Sequence, residues 1–366
     1  MVNSPYAYQL ALYTADWVAL GRAVLRVDWE PAREWTRFTA VRSGRLPATA
    51  VDLEATVAPI WHPRAGEPYV GGFRVAAAFD RCTVEHVFDA GYFAGLAERA
   101  LETLAKRKGV ETLDTAHYIT TAYPAPGTAS PAARPMFVAC ETAPDLTLQN
   151  GSLDEITARA TPDGEATPGD VPVFLPERVL DELAELTGAA GERETGGVLI
   201  GHLRRDSARR EVFTEVTAQI PARHTEASST RLTFTAETWT EVRSALALRG
   251  RGEVMLGWWH SHPVEAWRKG CQAADGPACQ AGAGFLSLDD RALHRAVFPR
   301  AYSLALVVSN TGPGRPAFAL FGWREGVIAR RGFSTLDTTP DACSDRPSPE
   351  AVPDRPRQER CRAKRR

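Results

Sequence analysis

Two histidines separated by one serine follow an apolar run in the second half of the chain, and their side chains suit metal chemistry. The stretch "GWWHSHPVEAW" places His260 and His262 directly before Pro263. Imidazole is a common zinc ligand, but two nitrogens do not complete a tetrahedral site. The same pattern also fits two polar residues at the end of a strand. A metal site would need another ligand, an open coordination position and a group that handles protons.

A carboxylate downstream of the histidines offers the third ligand. In "FLSLDDRALH", Ser287 stands where the N-cap of a helix is expected, and Asp290 follows three residues later. This spacing is typical of a cap in which Asp290 is also favoured by the helix dipole. A carboxylate held at a helix start is well oriented to bind a metal. Together with His260 and His262 it would leave one tetrahedral position open, as catalytic zinc sites do.

Glu194 is the candidate for the proton-handling group. It begins the stretch "ETGGVLIG", which is predicted to be a buried strand. Glycines at 196 and 197 allow the backbone to pass close to other groups. A glutamate next to a metal can act as a general base or acid on bound water.

Taken in order, these motifs resemble those of the JAB/MPN zinc metalloproteases, also called the JAMM family. The resemblance is carried by Glu194 with "GGVLIG", then "HSHP", then "SLDD", on a matching order of helices and strands. His-x-His-Pro alone is a weak signal and Ser-x-x-Asp alone carries no weight, but the full ordered set is specific. The resemblance covers roughly 174–333 and does not extend to the first half of the chain.

The resemblance implies a role for each residue of the set. Three of them would bind Zn2+: His260, His262 and Asp290. Glu194 would take a proton from the attacking water and pass it to the leaving amine, and Ser287 would donate a hydrogen bond to the tetrahedral oxyanion. Asp289 is the alternative ligand, but the Ser-x-x-Asp spacing selects Asp290.

The resemblance also implies a substrate class. Members that keep these residues hydrolyse peptide or isopeptide bonds after the C-terminus of ubiquitin, a ubiquitin-like protein or a small β-grasp sulfur carrier. We therefore expect a zinc-dependent isopeptidase or peptidase that removes or matures a ubiquitin-like (β-grasp) modifier. Its expected partners are that modifier, its conjugates, and the activating and conjugating enzymes of the same pathway.

Two other functions were weighed against this one. A non-catalytic MPN scaffold in a ubiquitin-like conjugation system would be expected to lack metal ligands, and none is missing here. A zinc nucleobase deaminase needs His-x-Glu together with Pro-Cys-x-x-Cys. The stretch "PAC" that ends at Cys279 does not fit that motif, since no second cysteine lies at the required distance.

One feature departs from the family pattern. Between Pro263 and Ser287 lie 23 residues, where the family usually has a much shorter connection. Their Gly- and Ala-rich composition predicts a mobile loop that forms a flap beside the site. Cys271 and Cys279 in this insertion are either two unpaired thiols, a disulfide or ligands of a second metal. Three further histidines match no ligand position and are expected at the surface or beside the ligands: His202, His224 and His294.

Composition sets wider limits on function. The chain has 366 residues, 44% hydrophobic and 24% charged, and a formal net charge of −2, which is typical of a globular protein of about two domains. This charge gives no reason to expect nucleic acid or an anionic membrane as partner. No apolar run approaches the ~20 residues of a membrane span, and no signal peptide is predicted. Six cysteines are too few for a disulfide scaffold, so a cytoplasmic location is expected.

The sequence predicts an α/β protein, with a C-terminal mixed sheet of the JAB/MPN type flanked by helices. An α+β domain of unknown type over 1–157 would precede it and recognise the conjugate or a partner. The two are joined by a predicted linker, "ARATPDGEATPGDVP" at 158–172. The metalloprotease domain would cover 173–334, and a disordered basic tail 335–366.

Hydrophobic periodicity gives the expected elements. The first half should contain paired strands at 51–60 and 70–79 and a helix over 91–108. In the second half, Phe174 should begin a helix that runs to the stop at "GAAG" (188–191). The remaining elements are predicted as strands at 194–201, 211–220, 231–234, 253–259, 302–309, 316–321 and 327–333, and helices at 236–248 and 287–298.

Overall fold

The chain forms a mixed α/β structure with seven α-helices and nineteen strands among the residues that the computed structural model describes. These residues are 2–51, 53–63, 68–108, 115–125, 146–222, 225–227, 232–270, 284–312 and 314–337. The helices are α1 (Glu30–Arg42), α2 (Ala94–Lys108), α3 (Leu153–Ala158), α4 (Glu177–Ala190), α5 (Ala236–Arg249), α6 (Val264–Gly270) and α7 (Leu288–Val297), with a short 3-10 helix at Ala90–Phe93.

The strands fall into two groups along the chain. Those before residue 158 are β1 (Val2–Asn3), β2 (Tyr6–Thr14), β3 (Ala19–Leu25), β4 (Glu54–His62), β5 (Tyr69–Phe79), β6 (Cys82–Asp89), β7 (Ala116–Pro124) and β8 (Leu148–Asn150). Those after it are β9 (Ala160–Asp163), β10 (Val173–Pro176), β11 (Gly196–Asp206), β12 (Glu211–Pro221), β13 (Thr225–Ala227), β14 (Leu232–Phe234), β15 (Val254–His262), β16 (Leu304–Ser309), β17 (Ala317–Arg324), β18 (Val327–Arg331) and β19 (Phe333–Leu336).

The first half combines two sheets with helices. One sheet has the order β1-β4-β5-β6 and the other the order β3-β2-β7. The predicted paired strands are confirmed as β4 and β5, which are antiparallel. The predicted helix over 91–108 is confirmed as the 3-10 turn followed by α2. Strands β2 and β3 and helix α1 were not predicted from the sequence.

A ten-stranded mixed sheet dominates the second half. Its main order is β18-β17-β16-β15-β11-β12-β10-β19-β9, and β8 pairs with β11 beside that path. Strand β15 is central: it runs parallel to β16 and antiparallel to β11. All six residues of β16 are buried, as expected for a strand covered on both faces. The predicted strands and helices from residue 194 onward are confirmed with shifts of a few residues at their ends, except that the single strand predicted at 327–333 is divided into β18 and the first residue of β19.

The prediction that Phe174 begins a helix is wrong. Residues 173–176 form β10, in which Phe174 pairs with Glu215 and Ser334, and its ring packs against that of Phe213. The helix begins only at Glu177, after Pro176 in an extended conformation. The residue before a proline disfavours the helical region, so the periodic apolar pattern extends one turn further than the helix does.

The segment 158–172, predicted to be a linker, contains a strand. Its residues 160–163 form β9, which pairs with β19, and Asp170 accepts two hydrogen bonds from Arg324 at 2.6 and 2.8 Å. Burial would raise the pKa of Asp170, but hydrogen bonding to Arg324 and the charge of Arg331 outweigh it and lower that pKa. Strand β19 also reaches Leu336, inside the predicted tail, whereas 338–366 lie outside the described residues.

The two halves share one hydrophobic core, which runs from β2 and α1 into the large sheet. Glu34 on α1 accepts a hydrogen bond from the backbone N–H of Ala301 at 3.4 Å. One turn further along α1, the ring centroid of Phe38 lies 6.2 Å from that of Tyr302. The division of the chain into a recognition domain and a metalloprotease domain stays a prediction. None of the described helices is both long and apolar enough to cross a membrane.

Candidate metal centre

The end of β15 brings two imidazoles together. His260 and His262 are two residues apart on a strand, so their side chains project from the same face. Both are almost fully buried, and their Nε2 atoms are 2.9 Å apart. The strand ends at His262, directly before Pro263. Burial lowers the pKa of His262 to about 3, which keeps that ring neutral, and a neutral imidazole is the form that binds a metal.

The start of α7 places Asp290 against this pair. Ser287 is the N-cap and forms the predicted capping box: its hydroxyl accepts from the N–H of Asp290 at 3.1 Å, and its own N–H donates to Asp290 Oδ2 at 2.9 Å. The same Oδ2 lies 3.4 Å from His260 Nε2. Burial would raise the pKa of Asp290, but the hydrogen bonds and charge of His260 and the bonds from Ser287 hold it well below its usual range.

The three side chains fit a zinc ion. One ligand atom from each lies within 4.8 Å of the other two: His260, His262 and Asp290. Zinc with bonds of about 2.05 Å in a tetrahedron has ligand atoms roughly 3.3 Å apart. The two separations that involve His260 Nε2, 2.9 Å to His262 and 3.4 Å to Asp290, are close to this value. The alternative ligand, Asp289, is exposed and does not belong to this group.

Glu194 lies beside the same group. It precedes β11, whose first residue, Gly196, pairs with His260, and it is only 6% exposed. Burial raises the pKa of Glu194 to about 7; the charge of His260 opposes this shift and that of Asp290 adds to it. A carboxylate with a pKa near neutrality is suited to take up and release a proton.

Close packing of β11 depends on Gly197, three residues after Glu194. A Cβ on Gly197 would lie 2.3 Å from the carbonyl oxygen of Ile220 and 2.7 Å from Nε1 of Trp259. The expectation that these glycines allow a close approach of the backbone is met at this position. Any larger residue at 197 would clash with the backbone of β12 and displace β11 from it.

Ser261 links the strand of the histidines to the segment of Glu194. Its hydroxyl accepts a hydrogen bond from the N–H of Thr195 at 2.9 Å, and its own N–H donates to the carbonyl of Thr195 at 2.7 Å. The serine between the two histidines is therefore used to hold the residue that follows Glu194.

We expect Ser261→Ala to lower the free energy of unfolding by about 1 kcal/mol, because the N–H of Thr195 loses its acceptor. Ser309→Ala is the matched control. Ser309 pairs with His262 on the adjacent strand, and its buried hydroxyl has no hydrogen-bond partner in the described structure, so its loss should change little. Urea denaturation of the full chain measures both. Equal effects of the two substitutions would show that Ser261 does not support this segment.

Aromatic rings that sequence analysis missed position the two histidines. Trp258 stacks on His260 with a centroid distance of 4.6 Å and an angle of 11°, and its Nε1 donates to His294 Nδ1 at 3.1 Å. His294, expected at the surface or beside the ligands, is fully buried. The ring centroids of Trp267 and Phe285 lie 5.0 and 4.8 Å from that of His262. Alternation along β15 could have indicated Trp258, but no local pattern reveals the other contacts.

The ring contacts of His260 and His262 take the place of the hydrogen bonds that metal-bound histidines usually form. A ligating histidine normally donates its second N–H to a carboxylate or carbonyl. The Nδ1 atoms of His260 and His262 are buried and have no such partner within the described residues. Ring packing therefore holds the two imidazoles with their Nε2 atoms converging.

The other predicted residues lie apart from this centre or outside the description. His202 is on β11, paired with Glu215 of β12. His224, Cys271 and Cys279, the last two with their three predicted alternatives, lie outside the described residues. The insertion that carries them does not begin as a loop: residues 264–270 form α6.

Comparison with known proteins identifies the domain that carries the histidines. A family model described as prokaryotic homologs of the JAB domain matches residues 176–266. The matched range includes Glu194, His260 and His262 and ends before Ser287 and Asp290. The match thus covers the predicted base and two of the three predicted ligands.

The other comparisons add little. A solution structure of a Desulfitobacterium hafniense protein is 21% identical to this chain, with a TM-score of 0.31; the match covers 45% of this chain and 92% of the other. A comparison with curated proteins found no match. Residues 176–266 are thus similar to the prokaryotic JAB domain, in agreement with the resemblance of the motifs to the JAB/MPN family.

Proposed function

We propose that this protein is a zinc-dependent peptidase or isopeptidase that cleaves the bond after the C-terminus of a ubiquitin-like (β-grasp) modifier or its precursor. The main observation in support of this proposal is that a histidine pair and a carboxylate converge beside Glu194, whose pKa is raised to about 7. A non-catalytic scaffold of this family does not need the Glu194 carboxylate beside the metal ligands. We also propose that the protein works in the cytoplasm, together with the enzymes that attach the modifier.

The ligand residues would hold zinc through His260 Nε2, His262 Nε2 and Asp290 Oδ2. When bound there, zinc supplies a Lewis acid that polarises a carbonyl and makes water a better nucleophile. The capping box fixes the Asp290 carboxylate, and burial keeps His262 neutral, so these side chains need little rearrangement to bind a cation.

Glu194 carries the proton through the reaction. Its carboxylate accepts the proton that the attacking water loses, and it returns this proton to the nitrogen of the leaving amine. Both transfers are favoured by a pKa near 7, because neither protonation state is then strongly preferred at neutral pH. The low exposure of Glu194 keeps bulk water from exchanging that proton.

Ser287 is the proposed donor to the oxyanion, and this role requires a change in its hydrogen bonding. In the structure its hydroxyl lies 2.7 Å from Asp290 Oδ2, to which it donates. To act as that donor, the hydroxyl would turn from Oδ2 to the oxyanion. The N–H of Ser287 continues to hold the carboxylate at 2.9 Å during that change.

Cleavage of a defined conjugate tests the proposal. The full chain, loaded with zinc, would be incubated with two probes: ubiquitin carrying a fluorescent amine on its C-terminal carboxyl, and a small β-grasp sulfur carrier fused to a reporter protein. We expect one of them to be cut directly after the last residue of the modifier, as intact mass would show. Chelation should stop the reaction and added zinc restore it.

The alternative is a non-catalytic MPN scaffold in the same kind of conjugation system. It predicts that the zinc-loaded chain binds the modifier but leaves both probes intact. Cleavage at scattered sites would contradict both functions and indicate a general peptidase.

A further inference from the structure

The insertion between His262 and Ser287 brings an aromatic side chain to the metal centre at each of its ends. Its first part is α6, which carries Trp267, and its last described residues are 284–286, which include Phe285. The ring of Trp267 lies 5.0 Å from that of His262, and the ring of Phe285 lies 4.8 Å from it. The two aromatic rings are 6.3 Å apart, so they form a continuous apolar surface beside one candidate ligand.

Hydrogen bonds and burial fix the first residues of the insertion. Asn310, after β16, donates its N–H to the carbonyl of His262 at 2.9 Å and accepts from the N–H of Glu265 at 3.0 Å. Val264 is almost fully buried, and the N–H of Trp267 donates to the carbonyl of Pro263 at 3.0 Å. Trp267 is therefore placed by the sheet itself.

The exit is held as well. Leu286 is buried in a cluster with Trp258 and Phe298. Gly284 has a φ of +89°, and a Cβ on it would lie 2.2 Å from the Cβ of Ala319 on β17. Phe285 stands between these two fixed residues, and its side chain remains 37% exposed. Its position is fixed while its ring stays accessible.

Burial distinguishes this pair from the aromatic support of the other histidine. His260 is backed by Trp258, which is 1% exposed and belongs to the core. Trp267 and Phe285 contact His262 but are only partly covered. Large apolar side chains that are held in place and left partly exposed beside a reactive centre are suited to bind an apolar group of a ligand.

We propose that Trp267 and Phe285 form the wall of a subsite that selects an apolar side chain on one of the two residues flanking the scissile bond. This inference rests on the proposed peptidase function of the same centre. An apolar side chain in contact with both rings loses water-exposed surface together with them, whereas a charged side chain at that position must be desolvated without a partner. The insertion thereby sets which substrates are accepted.

The test compares short peptides with one changed residue. Two series would carry leucine, glycine or aspartate on either side of the scissile bond. We expect wild-type kcat/KM to favour leucine over aspartate by about tenfold or more at one of these positions. Trp267→Ala and Phe285→Ala should reduce that ratio towards one and retain zinc. Leu288→Ala is the matched control, since Leu288 is 43% exposed nearby, and it should leave the ratio unchanged.

Binding of the same peptides to the Glu194→Gln variant, measured by titration calorimetry, separates this inference from the proposed function. If no peptide is cleaved but leucine peptides bind and Trp267→Ala abolishes that preference, the subsite stands and the peptidase function falls. If peptides are cleaved with the same preference in all variants, or with none, the subsite is overturned. It is also overturned if no peptide binds, or if either aromatic substitution releases zinc, since the pair would then only support His262.

Discussion

Glu194→Gln is expected to lower the rate of conjugate hydrolysis by about 10² to 10⁴ while leaving zinc content and fold unchanged. Glutamine has the same shape but cannot accept and return a proton, and removal of a general base typically costs a factor of this size. The raised pKa of Glu194 supports this role, because burial beside the ligands prepares the carboxyl for proton transfer near neutral pH.

Glu192→Gln is the matched control, since Glu192 lies two residues away and is exposed. Single-turnover kinetics on the cleaved probe, zinc analysis and circular dichroism would be measured for both variants. Hydrolysis by Glu194→Gln at the wild-type rate would remove Glu194 from the mechanism. Loss of zinc would instead make Glu194 a ligand.

Asp290→Asn is expected to weaken zinc binding by more than about a hundredfold. Substitution of groups that only support a ligand already costs 10- to 100-fold in metal affinity, and asparagine removes the negative charge of the ligand itself. Ser287 remains the N-cap, and the side-chain oxygen of asparagine can still accept its N–H in the capping box, so the helix should remain folded.

Asp289→Asn provides the comparison, because Asp289 is the adjacent residue in the same helical turn and is exposed. Competition with a chromophoric zinc chelator measures both affinities. We expect Asp289→Asn to bind zinc as the wild type does. If Asp289→Asn weakens zinc binding and Asp290→Asn does not, Asp289 is the ligand, which is the choice that the Ser-x-x-Asp spacing disfavours.

The candidate centre could be predicted from the sequence because its parts are local. His260 and His262 share a face of one strand by alternation, and Ser287 and Asp290 share one helical turn by their spacing. Only the meeting of these pieces depends on the tertiary fold. The family resemblance supplied that step, since it gave the order of the elements.

Other features could not be predicted, because they depend on contacts between distant parts of the chain. The strand pairing of residues 160–163 is set by β19, far along the sequence, and polar composition hides it. The contact of Glu34 with Ala301 joins residues that are 267 positions apart in the sequence. The aromatic pair at His262 is split by the insertion, so neither ring has a spacing that would connect it to the site.

We propose that His260, His262 and Asp290 hold one zinc ion beside Glu194. This can be tested by anomalous diffraction at the zinc edge, from crystals of the full chain grown with zinc. We expect a single strong peak about 2.0 to 2.2 Å from His260 Nε2, His262 Nε2 and Asp290 Oδ2. A zinc peak on other residues, or none at this group in a zinc-replete crystal, would contradict it.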